Sequence, residues 1–363
     1  MRAAASIPAS TPTRWNGRTA RCIPPGEEGS YYVWTRDEVQ SLLGADYAGF
    51  AEQYGLAGAA NFEGRWHLRR PAPGSNQPLT PPSATTLAQL RKLHAARASR
   101  VAPARDDKIL TSWNALTIRA LASAGRLLSR TDFIAAAERA FDFIIQHHWR
   151  DGRLLATSRH GVASVPGYLD DHGFMLAATV ELLNCRWRRG DLEFAVALAD
   201  VLLTQFEDEQ RGGFYFTARD HEALLVRVRS FSDDALPSGN VMSATALLEL
   251  AHLVGDARYQ RAAERALEAA MQAAHRAPPA HASALGANFR HASAPPHVLL
   301  RGDDHREMDQ WRARLAQLAG SDITCYAIPS DEKALPGILD SRAAQAGATV
   351  TAYVCRGTHC SAP

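Results

Sequence analysis

The sequence predicts a mainly α fold built from consecutive antiparallel helical hairpins. Two observations carry this. Apolar residues recur at helical spacing through three pairs of segments, and short links inside each pair alternate with longer, β-like links between pairs. The repeat runs at roughly 60–70 residues, which stacked hairpins satisfy either as a solenoid or as a closed α/α toroid. The paired segments are 111–129 with 132–149, 168–189 with 191–208, and 239–254 with 256–276. In the first helix, Leu116, Ala120, Ala124 and Leu127 form the expected apolar face, with Arg119 and Arg126 off it.

Composition narrows the function classes. The 363 residues carry 40 Lys and Arg against 38 Asp and Glu, a net charge of +2. No basic stripe with interleaved aromatics is present, so a nucleic-acid partner is not expected. No apolar run approaches the ~18 residues of a membrane span, and the opening MRAAASIPAS lacks the apolar stretch of a signal peptide. Cys22, Cys185, Cys325, Cys355 and Cys360 are odd in number and scattered, which argues for reduced thiols and a cytoplasmic location. Cys355, His359 and Cys360 fall short of a zinc ligand set, so no metal and no cofactor is expected.

Along the chain, residues 1–26 show no period and read as disordered. Then comes a strand-like YYVW, followed by a capping box with Thr35 as N-cap and Glu38 as its N3 acid. A Pro-rich loop over 71–84 precedes a helix from about Thr86 to Arg100. Residues 27–280 are expected to form the helical body. GRLLATSRHG and GGFYFTARDHEALLVRVRSF supply β-like links, the second reading as a small hairpin. From 281 to 363 the runs HVLLRG, TCYAIPS and TVTAYVCRG, with a helix over 304–319, predict an α/β closing segment of the same domain.

Each long link enters its next helix through acids, aromatics and amides. These are DDKILTSWN with Asp107, Trp113 and Asn114, PGYLDDHGF with Tyr168, Asp170, Asp171 and His172, and FSDDALPSGN with Asp233, Asp234 and Asn240. RGGFYFT adds Tyr215. If alternate helices run parallel around the inside of a ring, their N-termini open on one end and gather these groups at one mouth. Carboxyls for proton transfer and flat rings under a pyranose are what a sugar-processing site needs. The candidate catalytic residues are therefore Asp107, Asp170, Asp171, His172, Asp233 and Asp234. Trp113, Asn114, Tyr168, Tyr215 and Asn240 are the candidate substrate contacts. Asp and Ser at helix starts also serve as plain caps, and His172 also reads as a structural histidine. His147 and His148 read as partners of a helix C-terminus.

The segments EEGSYYVWTRDEV, NFEGRWHL, DDKILTSWNALTIRALA, GYLDDHGFM, GGFYFT, DDALPSGN and AYVCRGTHCSAP together resemble the DUF255 family of thioredoxin-domain-containing proteins, the spermatogenesis-associated-protein-20-like proteins. The resemblance runs from about Glu27 to Pro363. It implies a six-hairpin glycosidase-like (α/α)6 toroid, related in shape to sugar epimerases. It also implies a thioredoxin-like domain in full-length members, although no C-x-x-C occurs here. His172 stands where an aromatic is usual, and Ala115 where Gly is usual. About two of the six hairpins are expected to be missing, because family members carry hairpins ahead of EEG-YYVWT. ASTPTRWNG at 9–17, back-translated with GC-rich codons and shifted by one base, yields Asp-Ala-Asp-Ser, a stretch the family carries just before EEG. Residues 1 to about 24 are therefore expected to be out-of-frame translation, and the chain a fragment. An incomplete ring leaves inner faces uncovered, so self-association through its open edge is expected. The resemblance does not settle activity, because fold alone is weak warrant for chemistry. The functional expectation is a carbohydrate-active toroid, glycosidase- or epimerase-like. The alternatives are a non-enzymatic scaffold, a redox-partner protein or a gene fragment without function.

Overall fold

The structure is a computed structural model that describes residues 29–70, 81–318 and 323–362. The expected leader lies outside the described residues, as does most of the Pro-rich loop. The chain divides into two compact units between Asp106 and Asp107, a boundary that the sequence reading does not place.

In the first unit the helices are α1 (Arg36–Leu43), α2 (Tyr47–Gln53) and α3 (Ala84–Ala98). The capping box forms as expected. Thr35 Oγ1 accepts from Glu38 N at 3.2 Å, and Glu38 accepts from Thr35 N at 2.7 Å. YYVW forms only an isolated bridge, between Trp34 and Trp66. Trp34, Val39, Phe50, Tyr54, Leu56 and Leu93 make a small core of their own. Arg100 lies 4.1 Å over the Trp34 ring and donates to the carbonyls of Tyr31 and Val33. A core this small leans on its caps. Thr35→Ala is expected to cost about 1 kcal/mol in this unit, read as a lower urea midpoint for the exchange of α1 amides.

The second unit holds the three hairpins with boundaries close to those predicted. They are α4 (Thr111–Leu127) with α5 (Thr131–His148), α6 (Leu169–Cys185) with α7 (Arg189–Val201), and α8 (Gly239–Val254) with α9 (Ala257–Ala274). This is the mainly α, hairpin-by-hairpin architecture of an (α/α) toroid, represented here by three hairpins. The helices α4, α6 and α8 pack side by side and run parallel. Ser112 reaches Asp171 near one end of the α4–α6 pair, and Arg126 reaches Glu181 near the other. Gly239 meets Asp170 and Gly173 meets Ser243 along the α6–α8 pair. The middle helix, α6, is buried on nearly every side, which explains why its sequence has little polar–apolar alternation.

The apolar face expected for α4 is corrected. The helix buries Ala115, Ile118, Ala122 and Gly125, whereas Ala120 and Leu127 are exposed. Small residues at 115, 122 and 125 let neighbouring helices come close. A Cβ on Gly125 would lie 2.6 Å from the Ile134 side chain of α5.

Strands β1 (Ile109–Leu110), β2 (Trp149–Arg150), β3 (Arg153–Arg159) and β4 (Val162–Pro166) form an antiparallel sheet, so GRLLATSRHG is a strand as expected. The second β-like link is not a hairpin. Among the described residues it contains no strand; it has an isolated bridge from Phe214 to Glu207 and one cross-link bond from Phe216 N to the Val228 carbonyl, and side chains add to these, with Arg227 donating to the Thr217 carbonyl and Asn240 clamping Phe214. His148 is also corrected. Thr111 Oγ1 spends its proton on the Leu155 carbonyl, so His148 Nδ1 donates to Thr111 and Nε2 accepts from Ser158. Burial lowers its pKa, so it is a neutral rivet between α4, α5 and β3, not a cation at a helix end.

After α10 (Ala282–Ser293), the C-terminal segment forms β5 (His297–Gly302), α11 (His305–Gln317), β6 (Thr324–Pro329), β7 (Val350–Arg356) and β8 (His359–Cys360). The sheet order is β6-β5-β7-β8, with β5 and β6 parallel across α11. The apolar run in β5 is buried on both faces. Val298 and Leu300 pack with Met308 of α11, and Leu299 joins the core of the hairpins. Cys355 and Cys360 lie opposite one another in the β7–β8 register and form a disulfide. The expectation of reduced thiols fails for this pair, because a spacing that looks arbitrary in sequence becomes a direct cross-strand partnership. Among the described residues no helix is long and apolar enough to cross a membrane.

Candidate functional site

The parallel packing of α4, α6 and α8 brings their N-termini to one end of the second unit, where the sequence reading places its site. Only part of the predicted constellation is left available there.

Asp171 is 3% exposed. Its Oδ1 accepts from Ser112 N at 2.9 Å and its Oδ2 from Tyr168 N at 2.8 Å. It therefore satisfies amides at the starts of two helices, α4 and α6. Burial pushes its pKa up to about 7, against the pull of those two amides. His172 is 1% exposed, and both ring nitrogens are committed. Nε2 accepts from Leu154 N at 3.3 Å, so Nδ1 carries the proton and donates to the Tyr168 carbonyl at 2.9 Å. Burial lowers its pKa to about 4. A catalytic base needs a nitrogen facing its substrate, and His172 has none, so the catalytic reading of His172 is corrected to a structural one.

Other predicted residues are similarly tied. Asp233 accepts from Ser238 N at 2.9 Å and from Ser283 N at 2.8 Å, and also from the Ser283 hydroxyl. Burial pushes Asp233 up, but these bonds outweigh it and hold the carboxyl below its usual range. Asn240 is buried, accepts from Phe214 N and donates to the Phe214 and Ser230 carbonyls, so it anchors the preceding loop. Asn114 donates to the Leu110 carbonyl. Asp107 accepts from Arg159 Nε at 2.6 Å, and that bond first of all lowers its pKa. Asp234 is exposed. Tyr215 accepts from Arg211 through its hydroxyl and carries Arg227 at 4.1 Å over its ring.

Asp170, Trp113 and Tyr168 remain. Asp170 is half-buried, and among the described residues its carboxyl has no hydrogen-bond donor. Its Oδ1 occupies the space a Cβ on Gly239 would need, at 1.9 Å, so it lies against the first residue of α8. Burial alone pushes its pKa up to about 6. Trp113, in the first turn of α4, is 59% exposed. Tyr168 stacks on Phe216 with ring centroids 4.8 Å apart and planes within 8°. A carboxyl with a raised pKa, with aromatic surface on neighbouring helix starts, can accept or donate a proton beside a flat ligand.

The sequence reading missed a second group of charged residues: Arg119, Arg126, Glu181 and Glu249 lie further along the same helices, and Arg290 comes from α10. The signal was present, since Arg119 and Arg126 are seven residues apart on one helix and so share a face. Among the described residues no group of His, Cys, Asp and Glu is arranged to hold a metal ion.

No family model matches the chain. Spermatogenesis-associated protein 20 of Homo sapiens is 27% identical over an alignment of 386 residues, covering 93% of this chain and 48% of that protein. The Mus musculus protein of the same name is 28% identical over 266 residues, covering 63% of this chain and 34% of that protein. The chain thus spans about half the length, or less, of these relatives. The similarity to the first of them extends across most of the chain. Among solved structures, cellobiose 2-epimerase from Spirochaeta thermophila matches with a TM-score of 0.38 and 18% identity, over 46% of this chain and 44% of that one. Unsaturated glucuronyl hydrolase from Bacillus sp. GL1 matches with a TM-score of 0.37 and 17% identity, over 47% of this chain and 49% of that one.

Proposed function

We propose, taking the chain as a relative of the spermatogenesis-associated-protein-20-like proteins, that the N-terminal end of α4, α6 and α8 takes a carbohydrate-like small molecule. In this reading Asp170 is the proton-transferring carboxyl, and Trp113 is the ring on which the sugar rests. One observation supports it above the others. Asp170 is the predicted acid that is partly buried yet held by no donor among the described residues, with a pKa raised to about 6 by burial. An ordinary cap is hydrogen-bonded, as Asp171 and Asp233 are. A raised, unpartnered carboxyl suits acid–base work near neutrality.

Because both Asp171 oxygens are held by amides, proton transfer through Asp170 is better served than a displacement shared by two carboxyls. The test is calorimetric titration of the full chain with neutral mono- and disaccharides. Trp113→Ala is expected to weaken binding at least tenfold without changing the circular dichroism spectrum, since Trp113 is mostly exposed. Equal affinity in the variant, or no saccharide bound by the parent, would sink the reading.

A further inference from the structure

The charged group further along the helices lines a cavity of about 310 Å³, within the range of small-molecule sites. Arg119 lies about two turns from the start of α4 and Arg126 about four. Two of the three guanidinium groups already have acids. Arg126 Nε lies 3.2 Å from Glu181 Oε1, and Arg290 Nη2 lies 3.2 Å from Glu249 Oε1. These pairs join α4 to α6 and α10 to α8. Arg119 is different. Its Nη1 donates to the Met242 sulfur at 3.6 Å, a weak acceptor, and it acts on Glu181 only at longer range, since among the described residues no carboxylate lies within ion-pair distance of it. The cavity therefore carries one positive charge more than its acids balance. Burial pushes Glu181 up, which weakens the negative side further. Ser123 and Thr324 add hydroxyl groups to the wall.

A planar guanidinium facing a cavity with only a thioether to bond is arranged to take a two-oxygen anion. We propose that this cavity is an anion site, in which Arg119 grips the carboxylate or phosphate of a small hydroxylated molecule and the Glu181 and Glu249 carboxylates accept from its hydroxyl groups. The site uses none of the residues assigned to the mouth, so it stands or falls separately from the proposed function.

The experiment is calorimetric titration of the full chain with glucuronate, glucose 6-phosphate and glucose in low salt. At least one anion is expected to bind ten times more tightly than glucose. The advantage should fall as salt rises and disappear in Arg119→Gln. It should persist in Asp170→Asn. Preference for glucuronate identifies a carboxylate ligand, preference for glucose 6-phosphate a phosphate, and equal preference recognition of charge alone; all three support the site. If Arg119→Gln does not fold, Arg119→Lys keeps the charge and stem but not the fork, and should weaken the anion at least threefold. Anions no tighter than glucose overturn the proposal, as does full anion preference in whichever Arg119 variant folds.

Discussion

Asp170→Asn is expected to stabilise the protein at pH 8 and, under the proposed function, to remove proton transfer at the mouth. The folded carboxyl titrates near 6, against an ordinary value of 3.8. Between those values the folded state holds a proton that the unfolded chain has lost, so stability falls as pH rises through this window. Above pH 6 the ionised carboxyl opposes folding in full. The gap corresponds to about 3 kcal/mol, trimmed to about 2 by the partial exposure of the side chain. Asparagine is nearly isosteric and cannot ionise, so the variant should melt higher than the parent at pH 8. At pH 4 the two should melt nearly together. The lowered histidines, His148, His172, His252 and His297, make folding weaker with falling pH below about 6.5, but they do so equally in both proteins and cancel in the comparison. A variant less stable than the parent at pH 8 would show that Asp170 is an ordinary stabilising cap. A stabilising replacement that costs activity is the pattern of a functional site, where a group is kept in an environment that folding alone would reject.

Gly173→Ala is expected to destabilise by about 2–3 kcal/mol, although alanine is the better helix former in isolation. A Cβ at position 173 would fall 1.9 Å from Ser243 Oγ and 3.1 Å from Ser243 Cβ, at a close approach of α6 to α8. Ser243 is fully buried, so its side chain has little room to yield. Ser243→Ala removes the oxygen and leaves the carbon contact, and the double variant should recover more than half of the loss. Urea denaturation of the four proteins in a double-mutant cycle reads the coupling. Additive losses would mean that the two helices are not in close contact at this level, and the shared mouth of α6 and α8 would lose its physical basis.

Helix positions and pairing were readable because their causes are local. Spacing of 3.6 residues and short turns such as SRTD and RRGD belong to neighbouring residues, and all three hairpins fall close to their predicted bounds. The apolar stripe of α4 was misjudged for a related reason. Leucine and alanine at helical spacing mark a face that can be buried, but partners in α5 and α6 select the face with the smaller residues at 115, 122 and 125. The link over 212–231 alternates like a hairpin, yet one backbone bond, Phe216 N to the Val228 carbonyl, crosses it, while other backbone groups go to residues 205–208, to Leu169 and to the side chains of Arg227 and Asn240.

The acids show the same division at the level of chemistry. By itself the sequence determined that carboxyls and aromatics cluster at the starts of α4, α6 and α8, because helix starts and turn residues are written locally. Only the tertiary structure decided which carboxyl is left without a donor. Asp170 and Asp171 are neighbours, but Asp171 meets Ser112 from a helix 59 residues away while Asp170 faces Gly239. The charge balance around Arg119 was likewise invisible, because it depends on Glu181 and Glu249 arriving from two other helices. Hydrogen-bond partners and solvent access set a group's protonation, and both are supplied by residues far away in the chain.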